Sequence, residues 1–207
     1  MNKQFINQLK ERLKKPLPGK KAQSIMMVKS KTPFQVTNEL NTIKHSSVLI
    51  LLFFKDNCWN FFLTKRTQHV NHHKGQISLP GGVHEGNESL QETAFRETEE
   101  EIGIPSKDIN LIGELTPFYV PISNFKIFPF IGWLKIKPEI KIEIKEVEKI
   151  FSISLDEFIL ESTQKSKKDI LHNNVVTIPY YNINNEIVWG ATSVILSEFK
   201  QLILEIR

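Results

Sequence analysis

The sequence predicts a layered α/β (α+β) domain, and three stretches carry this prediction. Ser47–Phe54 is a continuous apolar run, which is typical of a strand buried on both faces. Ser89–Ile102 contains neither Gly nor Pro and is rich in helix-forming residues. Gly190–Ile206 places apolar residues at helical spacing. The predicted order is strands, one central acidic helix, further strands and a terminal helix. This order indicates packed layers of helix and sheet.

Length and composition are those of an ordinary globular protein. The 207 residues suggest one domain with an appended segment, and 40% hydrophobic and 24% charged residues allow a sizeable core. A single cysteine, Cys58, excludes a disulfide framework and a cysteine-based zinc site. No apolar run reaches transmembrane length, and the first residues lack the apolar core of a signal peptide. We therefore expect a cytoplasmic protein that does not contact a membrane.

Positive charge is concentrated at the start of the chain. Residues 1–31 hold nine Lys or Arg and one acid, a net charge of +8, which leaves −4 for the rest of a chain whose total is +4. Such an arm can attract an anionic ligand or nucleic acid. Because it lacks interleaved aromatic residues, we favour a solubilising helix and predict no nucleic-acid partner.

The first 44 residues are predicted to form an amphipathic helix and a connector. Residues 2–15 place apolar side chains at helical spacing, and Pro16, Pro18 and Gly19 end the helix. Residues 20–44 are mixed and polar, which predicts a connector with a short extended piece near Ile25–Val28. The remaining residues, 45–207, are predicted to form the main domain.

A hairpin and a polar loop are predicted next. The apolar strand Ser47–Phe54 is followed by a turn and by a second strand, Trp59–Lys65. The loop Arg66–Lys74 holds three histidines, His69, His72 and His73, whose spacing is not that of a helical zinc pair. We favour a ligand-facing or solvated loop over a zinc site. Gly75–Pro80 is predicted to be a short strand that leads into Gly81-Gly82, where two glycines allow a close backbone approach.

The second half of the chain predicts further strands and two helices. Pro129 marks an edge or a bulge, and Ser154 or Asp156 is expected to cap the first of these helices. The predicted elements are strands at Ile109–Val120, Phe125–Lys137 and Ile140–Ile144, a short helix within Ile153–Leu160, a loop at Ser162–Lys168, a hairpin of Val175–Tyr181 with Glu186–Trp189, and the helix Gly190–Ile206.

The central helix carries an unusual concentration of negative charge. Between residues 88 and 101 there are six glutamates, offset only by Arg96. Glu97, Glu100 and Glu101 lie at i, i+3 and i+4, so they project from one face, where like charges repel. The usual explanation for such a run of charges is an acidic helix face that is exposed to solvent. A bound hard cation, Mg²⁺ or Mn²⁺ rather than zinc, explains the cluster better.

The spacing around this helix resembles the Nudix box of nucleoside-diphosphate-linked hydrolases. The matching positions are Gly82, Glu88, Arg96, Glu97, Glu100, Glu101, Gly103 and the apolar Ile104. Thr98 stands where the family usually has an aliphatic residue. The resemblance implies a mixed sheet sandwiched between helices, in α/β/α layers, and a metal-dependent hydrolase.

The resemblance also implies roles for individual residues. Glu97, Glu100 and Glu101 would be metal ligands, with Glu97 also a candidate base. The carbonyl of Gly81 or Gly82 could complete the coordination shell. Glu88 and Arg96 would form a supporting pair in which Arg96 clamps a carboxylate. Family members often add a carboxylate from a later loop, for which we favour Glu146 over Glu148.

A second stretch resembles the signature of coenzyme A pyrophosphatases. The matching positions are Thr64, Arg66, Gly75, Pro80, Gly81 and Gly82, and the departures are Phe62, Thr67, Asn71 and Leu79. Asn71 replaces an arginine. If that arginine contacts a phosphate of coenzyme A, this chain must use Lys74 or a histidine instead, or bind more weakly. The resemblance implies cleavage of coenzyme A or acyl-coenzyme A to 3′,5′-ADP and 4′-phosphopantetheine or its acyl form.

Two other functions stay open at this point. One is hydrolysis of another nucleoside diphosphate derivative, such as ADP-ribose, NADH or an oxidised nucleotide. The other is a Nudix-like module that senses a nucleotide without cleaving it. Such modules typically lose box carboxylates, and this chain keeps all of them. The expected partner is a small-molecule substrate, and a homodimer is compatible with the sequence.

Overall fold

The structure, a computed structural model, describes residues 3–30, 42–68, 75–171 and 174–207. Within these residues the helices are α1 (Lys3–Leu13), α2 (Gly19–Gln23), α3 (Leu90–Ile102), α4 (Leu155–Phe158) and α5 (Gly190–Ile206). Short 3-10 turns lie at Ser24–Met26, Ser106–Asp108 and Glu161–Thr163. The strands are β1 (Lys29–Ser30), β2 (Lys44–Lys55), β3 (Cys58–Arg66), β4 (Ile77–Ser78), β5 (Gly81–Val83), β6 (Ile109–Glu114), β7 (Phe118–Val120), β8 (Phe125–Leu134), β9 (Val147–Ser154), β10 (Gln164–Leu171), β11 (Asn174–Ile183) and β12 (Glu186–Val188).

The main sheet is mixed and is centred on β2. The described strands follow the order β4-β3-β2-β8-β6, with β5 beside β2, β7 beside β8 and β9 beside β3. β2 and β8 are parallel, and the other described pairs are antiparallel. The predicted hairpin of β2 and β3 is confirmed, with Asp56 and Asn57 at positive φ in its turn.

Both faces of this sheet are covered by helices, which explains why β2 is apolar without alternation. Leu49 and Leu51 pack with Ala94, Phe95 and other residues of and around α3. Ile50 and Leu52 point the other way, into a larger core that includes α1, α4 and α5. Side chains of a strand alternate between faces, so a strand covered on both sides is apolar throughout. The predicted fold class, with α/β/α layers, is confirmed.

A smaller antiparallel sheet contains β1, β11 and β10, with β12 also beside β11. The predicted closing hairpin is present, with Asn184 and Asn185 at positive φ in its turn. The loop predicted at Ser162–Lys168 is wrong, because this segment pairs with β11 as strand β10. Its side chains are exposed along almost the whole strand, so no apolar pattern marks it.

Two further predictions of extended structure are wrong. Residues 25–28 do not form a strand: α2 and a 3-10 turn occupy Gly19–Met26, and the extended piece is β1, one residue later. Ile140–Ile144 alternates in sequence but is not a strand. Lys141 and Glu143 instead donate backbone hydrogen bonds to the carbonyls of Ile102 and Glu101 at the end of α3.

The strand predicted at Ile109–Val120 is interrupted. β6 and β7 pair with the same side of β8, and the chain leaves the sheet between them. Pro129 in β8 lies opposite this break, where its carbonyl accepts a hydrogen bond from Leu115 N–H at 2.9 Å. The sequence predicted an edge or a bulge at Pro129. The edge alternative is wrong because β8 is flanked by β2 and by β6 and β7, and Pro129 lies where the pairing of β8 is interrupted between β6 and β7.

The N-terminal helices pack against the last helix. Ile6 and Leu9 of α1 are buried in the same core as Leu202 of α5. The buried Glu198 carboxylate of α5 accepts hydrogen bonds from Gly19 N–H at 3.0 Å and from Gln23 Nε2 at 3.0 Å. The division of the chain at residue 44 stays a prediction. Among the described helices, none combines the length and apolar character needed to cross a bilayer.

Candidate active site

Helix α3 carries the glutamates, and its two ends are defined by local sequence. Ser89 is its N-cap in a capping box: the Ser89 hydroxyl accepts from Glu92 N–H at 3.2 Å, and the Glu92 carboxylate accepts from Ser89 N–H at 2.7 Å. Gly103 ends the helix at φ +72°, which glycine adopts readily. Thr98 is buried, and its hydroxyl donates to the carbonyl of Ala94 at 2.7 Å. The departure from the family pattern at Thr98 therefore leaves no unpaired polar group.

Two glycines of β5 bring the sheet into contact with this helix. A Cβ atom on Gly82 would lie 2.3 Å from the Glu97 carboxylate. A Cβ atom on Gly81 would lie 2.2 Å from the backbone oxygen of Ser47 on β2. Only glycine therefore allows β5 to lie between β2 and Glu97 at this separation.

Glu101 is the most deeply buried carboxylate of the cluster, with an exposed fraction of 2%. Arg66 Nη1, at the end of β3, lies 3.3 Å from Glu101 Oε1. Gly81 N–H donates to Glu101 Oε2 at 3.4 Å. Burial raises the pKa of Glu101 to about 8, and the charge of Arg66 opposes that rise only in part. The negative charge at Glu101 is thus incompletely compensated by the protein's own groups.

Glu97 and Glu100 are held by Arg96. Arg96 Nη1 donates to Glu97 Oε1 at 2.8 Å and to Glu100 Oε2 at 2.9 Å. Glu97 is largely buried, and desolvation raises its pKa despite the nearby Arg96. Glu100 differs because 57% of its side chain is exposed. The three predicted ligands therefore range from buried to exposed along one face of α3.

Arg96 also clamps Glu88, as predicted. Its Nε and Nη2 atoms donate to the two Glu88 carboxylate oxygens at 3.1 and 3.0 Å. Hydrogen bonding to Arg96 lowers the pKa of Glu88 to about 2, and the Thr93 hydroxyl donates to the same carboxylate at 2.9 Å. The same hydrogen bond raises the pKa of Arg96 above its ordinary value. Arg96 is thereby fixed between a supporting carboxylate and the cluster.

Glu146 and Glu148 differ in their relation to the cluster. The negative charge of Glu146 contributes to the raised pKa of both Glu97 and Glu101. Glu148 instead pairs with Lys65, whose Nζ is 3.7 Å from its carboxylate. The backbone of Glu146 is tied to the end of β3 by a hydrogen bond from Thr67 N–H at 2.9 Å.

The cluster has the chemistry of a site for a hard divalent cation. All its charged ligands are carboxylates, and burial leaves two of them with raised pKa values that a nearby cation would lower. In the described part of the chain, no three His, Cys, Asp or Glu side chains converge on one point as a ready-made chelate. Arg96 and Arg66 contact the carboxylates in this arrangement.

The residues predicted to bind substrate are distributed unevenly. Arg66 faces the cluster, and Gly75, at φ +65°, donates its N–H to the Arg66 carbonyl at 3.2 Å. Thr64 is fully buried and lies 3.3 Å from the Ser78 hydroxyl, so it joins β3 to β4 and has no exposed surface for a ligand. Lys74, Asn71 and the three loop histidines lie outside the described residues.

Sequence reasoning did not identify two supporting residues. Thr93 contacts both Glu88 and His84, whose Nδ1 is 3.0 Å from the Thr93 hydroxyl. The fully buried Ser47 lies beside Gly82 in the sheet. Thr93 could have been identified from sequence, because it lies one helical turn before Glu97. Nothing local distinguishes Ser47.

The structure thus combines an α/β/α fold with a cluster of carboxylates on α3 that lies against the sheet. A model of the NUDIX domain matches residues 43–173, which is more than half of the chain. The chain belongs to this family. It is a Nudix hydrolase that acts on phosphorus anhydrides.

Two relatives illustrate the match. Nudix hydrolase 3 of Caenorhabditis elegans is 30% identical over 172 residues, covering 73% of this chain and 70% of that protein. An uncharacterized Nudix hydrolase, NudL, of Yersinia enterocolitica is 31% identical over 161 residues, covering 76% of this chain and 80% of that protein. Nudix hydrolases generally use divalent metals such as Mg²⁺ or Mn²⁺.

Solved structures agree on the fold. A MutT/nudix family protein from Enterococcus faecalis has a TM-score of 0.52 at 16% identity, over 83% of this chain and 70% of that one. The Nudix hydrolase RenU from M. smegmatis has a TM-score of 0.51 at 12% identity, over 77% of this chain and 83% of that one. At these identities the similarity concerns the fold alone.

Proposed function

We propose that this Nudix hydrolase cleaves the central pyrophosphate of coenzyme A or an acyl derivative. The products are 3′,5′-ADP and 4′-phosphopantetheine or its acyl form. One observation carries the proposal: Arg66, from the stretch that resembles coenzyme A pyrophosphatases, lies 3.3 Å from Glu101 of the Nudix box. The two motifs, 35 residues apart in sequence, thus contribute to one site.

The proposed cofactor is Mg²⁺ or Mn²⁺. Glu97, Glu100 and Glu101 would hold it, with Glu146 and the backbone of Gly81 as further ligands. When bound, the cation supplies positive charge beside the pyrophosphate oxygens, which makes phosphorus more open to attack. The raised pKa values of Glu97 and Glu101 support this assignment, since they reflect buried negative charge that lacks a sufficient counter-ion.

The protein's own residues position the reaction and move a proton. A water oxygen forms a bond to one phosphorus, the bond from that phosphorus to the bridging oxygen breaks, and the bridging oxygen leaves with the other phosphate. Glu97 accepts the proton of the water, the role of general base that the resemblance to the Nudix box implies for it. Arg96, fixed by Glu88, orients Glu97 through their 2.8 Å hydrogen bond.

Binding of the substrate falls to the stretch before the box. Arg66 is only partly exposed, and its guanidinium can bind a phosphate oxygen while it contacts Glu101. The backbone near Arg66 contains three glycines of this stretch, Gly75, Gly81 and Gly82. Lys74 is proposed to replace the arginine that is missing at Asn71. Thr64 supports this arrangement from the interior of the sheet.

The second candidate is a hydrolase of another nucleoside diphosphate derivative, such as ADP-ribose or NADH. Asn71 is the departure that favours it. Leu79 does not, because it is buried in the core and so changes packing rather than a substrate contact. A sensing module without activity is disfavoured because all the box carboxylates are present in one cluster.

A substrate panel tests the proposal. Purified protein with Mg²⁺ or Mn²⁺ is offered coenzyme A, acetyl-coenzyme A, ADP-ribose, NADH and an oxidised nucleoside triphosphate, and the products are separated by chromatography. We expect coenzyme A or its acyl form to have the highest kcat/KM and to release 3′,5′-ADP. Rapid turnover of another substrate with none of coenzyme A would remove the proposed substrate and leave the hydrolase.

A further inference from the structure

Aromatic and basic side chains lie beside the catalytic cluster, on strands that neither motif includes. They are His45 on β2, Lys126 and Phe128 on β8, and Tyr119 on β7. The rings of His45 and Phe128 meet edge to face, with centroids 5.3 Å apart. Lys126 Nζ lies 5.2 Å from the centroid of the Phe128 ring. These four residues are called the aromatic platform below.

The sheet register places the aromatic platform on the same face as α3. Gly82, which touches Glu97, is opposite Ser47, and Ser47 is opposite Phe128. Residues directly opposite each other in a sheet point to the same face. His45 and Lys126 lie two residues before Ser47 and Phe128, so they share that face, and Tyr119 is opposite Lys126.

The distance from the aromatic platform to the cluster matches the distance from the base to the diphosphate in a nucleotide. Phe128 is two strands away from Gly82, which corresponds to roughly 10 Å at the usual strand spacing. A nucleobase is separated from its diphosphate by the ribose, over a distance of that order. The platform is also accessible: His45 is exposed, Phe128 and Lys126 are half-buried, and Tyr119 has an exposed fraction of 36%.

One buried polar group lies between the aromatic platform and the cluster. The Ser47 hydroxyl is fully buried and has no hydrogen-bond partner within the residues that the structure describes. Buried hydroxyls are normally paired, so one without a partner indicates that a ligand or water supplies the missing bond. In the sheet register Ser47 lies between Gly82, which approaches Glu97, and Phe128 of the aromatic platform.

We infer that the aromatic platform binds the nucleotide half of the substrate, with the base stacked on Phe128, against whose ring His45 packs edge to face, and with Lys126 paired to a phosphate on the ribose. The inference deepens the proposed function and rests on it for the identity of that phosphate, which 3′,5′-ADP carries on the 3′ oxygen. Aromatic side chains bind bases through stacking whatever the base, so specificity for a ribose phosphate falls to Lys126.

The opposite face of the same strands provides matched controls. Lys44 on β2 and Phe125 on β8 are neighbours in register, and Lys44 Nζ lies 5.9 Å from the Phe125 ring. This pair repeats the basic and aromatic chemistry of Lys126 and Phe128. It faces away from α3 because Lys44 is one position before His45 on β2 and Phe125 is one position before Lys126 on β8.

The experiment measures dissociation constants of 3′,5′-ADP and 5′-AMP by calorimetry on the full chain, together with KM and kcat of the best substrate in the panel. Phe128→Leu should weaken both nucleotides by roughly 5- to 100-fold, the range that loss of one base stack produces. Lys126→Gln should weaken 3′,5′-ADP more than 5′-AMP. KM should rise in both variants while kcat is retained, and Phe125→Leu and Lys44→Gln should match the unaltered protein.

The outcomes separate this inference from the proposed function. One outcome is that the enzyme cleaves another substrate and not coenzyme A, while Phe128→Leu still weakens binding of 5′-AMP and Phe125→Leu does not. The proposed function then fails and the stacking site stands. If Phe128→Leu behaves like Phe125→Leu, or the unaltered protein binds neither nucleotide, the inference is overturned. Should Phe128→Leu fail to fold in a thermal melt, the exposed His45→Gln decides in the same way, by weakening both nucleotides or leaving them unchanged.

Discussion

Glu101 and Glu100 bear the same side chain but differ in surroundings. Glu101 is buried, accepts from the Gly81 amide and pairs with Arg66. Glu100 is largely exposed, and within the described residues it forms an ion pair with Arg96. Burial strengthens the effect of any charge on Glu101, because less water screens it. Substitution of Glu101 would therefore disturb the fold and the chemistry together, whereas Glu100 reports on the chemistry alone.

Glu100→Gln tests the site without removing buried charge. We expect kcat/KM to fall by roughly 100-fold or more, the size that loss of one charge-stabilising group produces in other enzymes. The thermal melt should be almost unchanged because the side chain is exposed. Glu99→Gln is the matched control. Glu99 is the preceding residue, but its carboxylate accepts a hydrogen bond from Ser106 N–H at 2.9 Å and is not part of the cluster. Near-normal turnover of Glu100→Gln would show that the metal is held elsewhere.

Glu88 links stability to pH. Its pKa is lowered to about 2 from an ordinary value of 4.5, chiefly by hydrogen bonding to Arg96. A lowered pKa in the folded state adds stability above about pH 4.5, and that stability is lost as the pH falls toward about 2.

Glu88→Gln should therefore lower the melting temperature most near neutral pH. The difference from the unaltered protein should shrink as the pH is lowered from 4.5 toward 2, because both proteins then carry an uncharged group at residue 88. Melting temperatures across this range give the measurement. A difference that is constant with pH would show that Glu88 contributes through packing and not through its charge.

At the scale of elements, the site depends on how closely β5 approaches α3. The helix itself is defined locally, by the capping box at Ser89 and the left-handed Gly103. The separation from the sheet is defined by Gly82, which has no side chain to displace Glu97. The carboxylate can move more cheaply than either backbone, because it is the far end of a flexible side chain.

Gly82→Ala should therefore reduce activity more than stability. The added Cβ would lie 2.3 Å from the Glu97 carboxylate, so we expect Glu97 to move and kcat to fall by roughly 10- to 100-fold, as for other small misplacements of catalytic groups. The melting temperature should change little. Gly113→Ala is the control, since its nearest neighbour is the end of the Leu13 side chain at 3.1 Å, far from the cluster in the fold. Full activity of Gly82→Ala would show that the general base is a residue other than Glu97.

At the scale of the whole molecule, the N-terminal helices belong to the main core. Leu9 of α1 is fully buried, and Glu198 of α5 accepts hydrogen bonds from the start of α2 and from Thr116. Lys3 of α1 is exposed and Lys10 is half-buried, and Lys14 and Lys15, which follow the helix, are exposed, which agrees with a solubilising face. Burial of this kind couples the first 30 residues to the stability of the domain.

Leu9→Ala should destabilise the whole protein by about 2–5 kcal/mol, the usual loss for a buried leucine. Denaturant unfolding followed by circular dichroism and by tryptophan fluorescence should show a single coincident transition at a lower midpoint. Leu204→Ala on α5, where the leucine is 49% exposed, is the control and should change the midpoint much less. A separate early transition in Leu9→Ala would show that the N-terminal segment unfolds independently.

Prediction from sequence succeeded where the signal was local. Helix α3 was predicted almost to the residue, because Ser89, Gly103 and the helix-forming residues between them act within a few positions. The hairpin of β2 and β3 was predicted for the same reason. Strand β10 was missed, because it is exposed and exists only through its pairing with β11. Ile140–Ile144 was assigned to a sheet because alternation does not reveal that the partner is the end of α3.

The sequence alone determined that Glu97, Glu100 and Glu101 share one helical face, and it determined the Nudix family to which their spacing belongs. Only the tertiary structure decided how those residues differ from one another. It buried Glu101 beside Arg66, paired Glu148 with Lys65, and placed His45 and Phe128 on the same face of the sheet. Burial, strand register and long-range pairing arise from contacts between distant parts of the chain, and a local pattern of residues does not encode them.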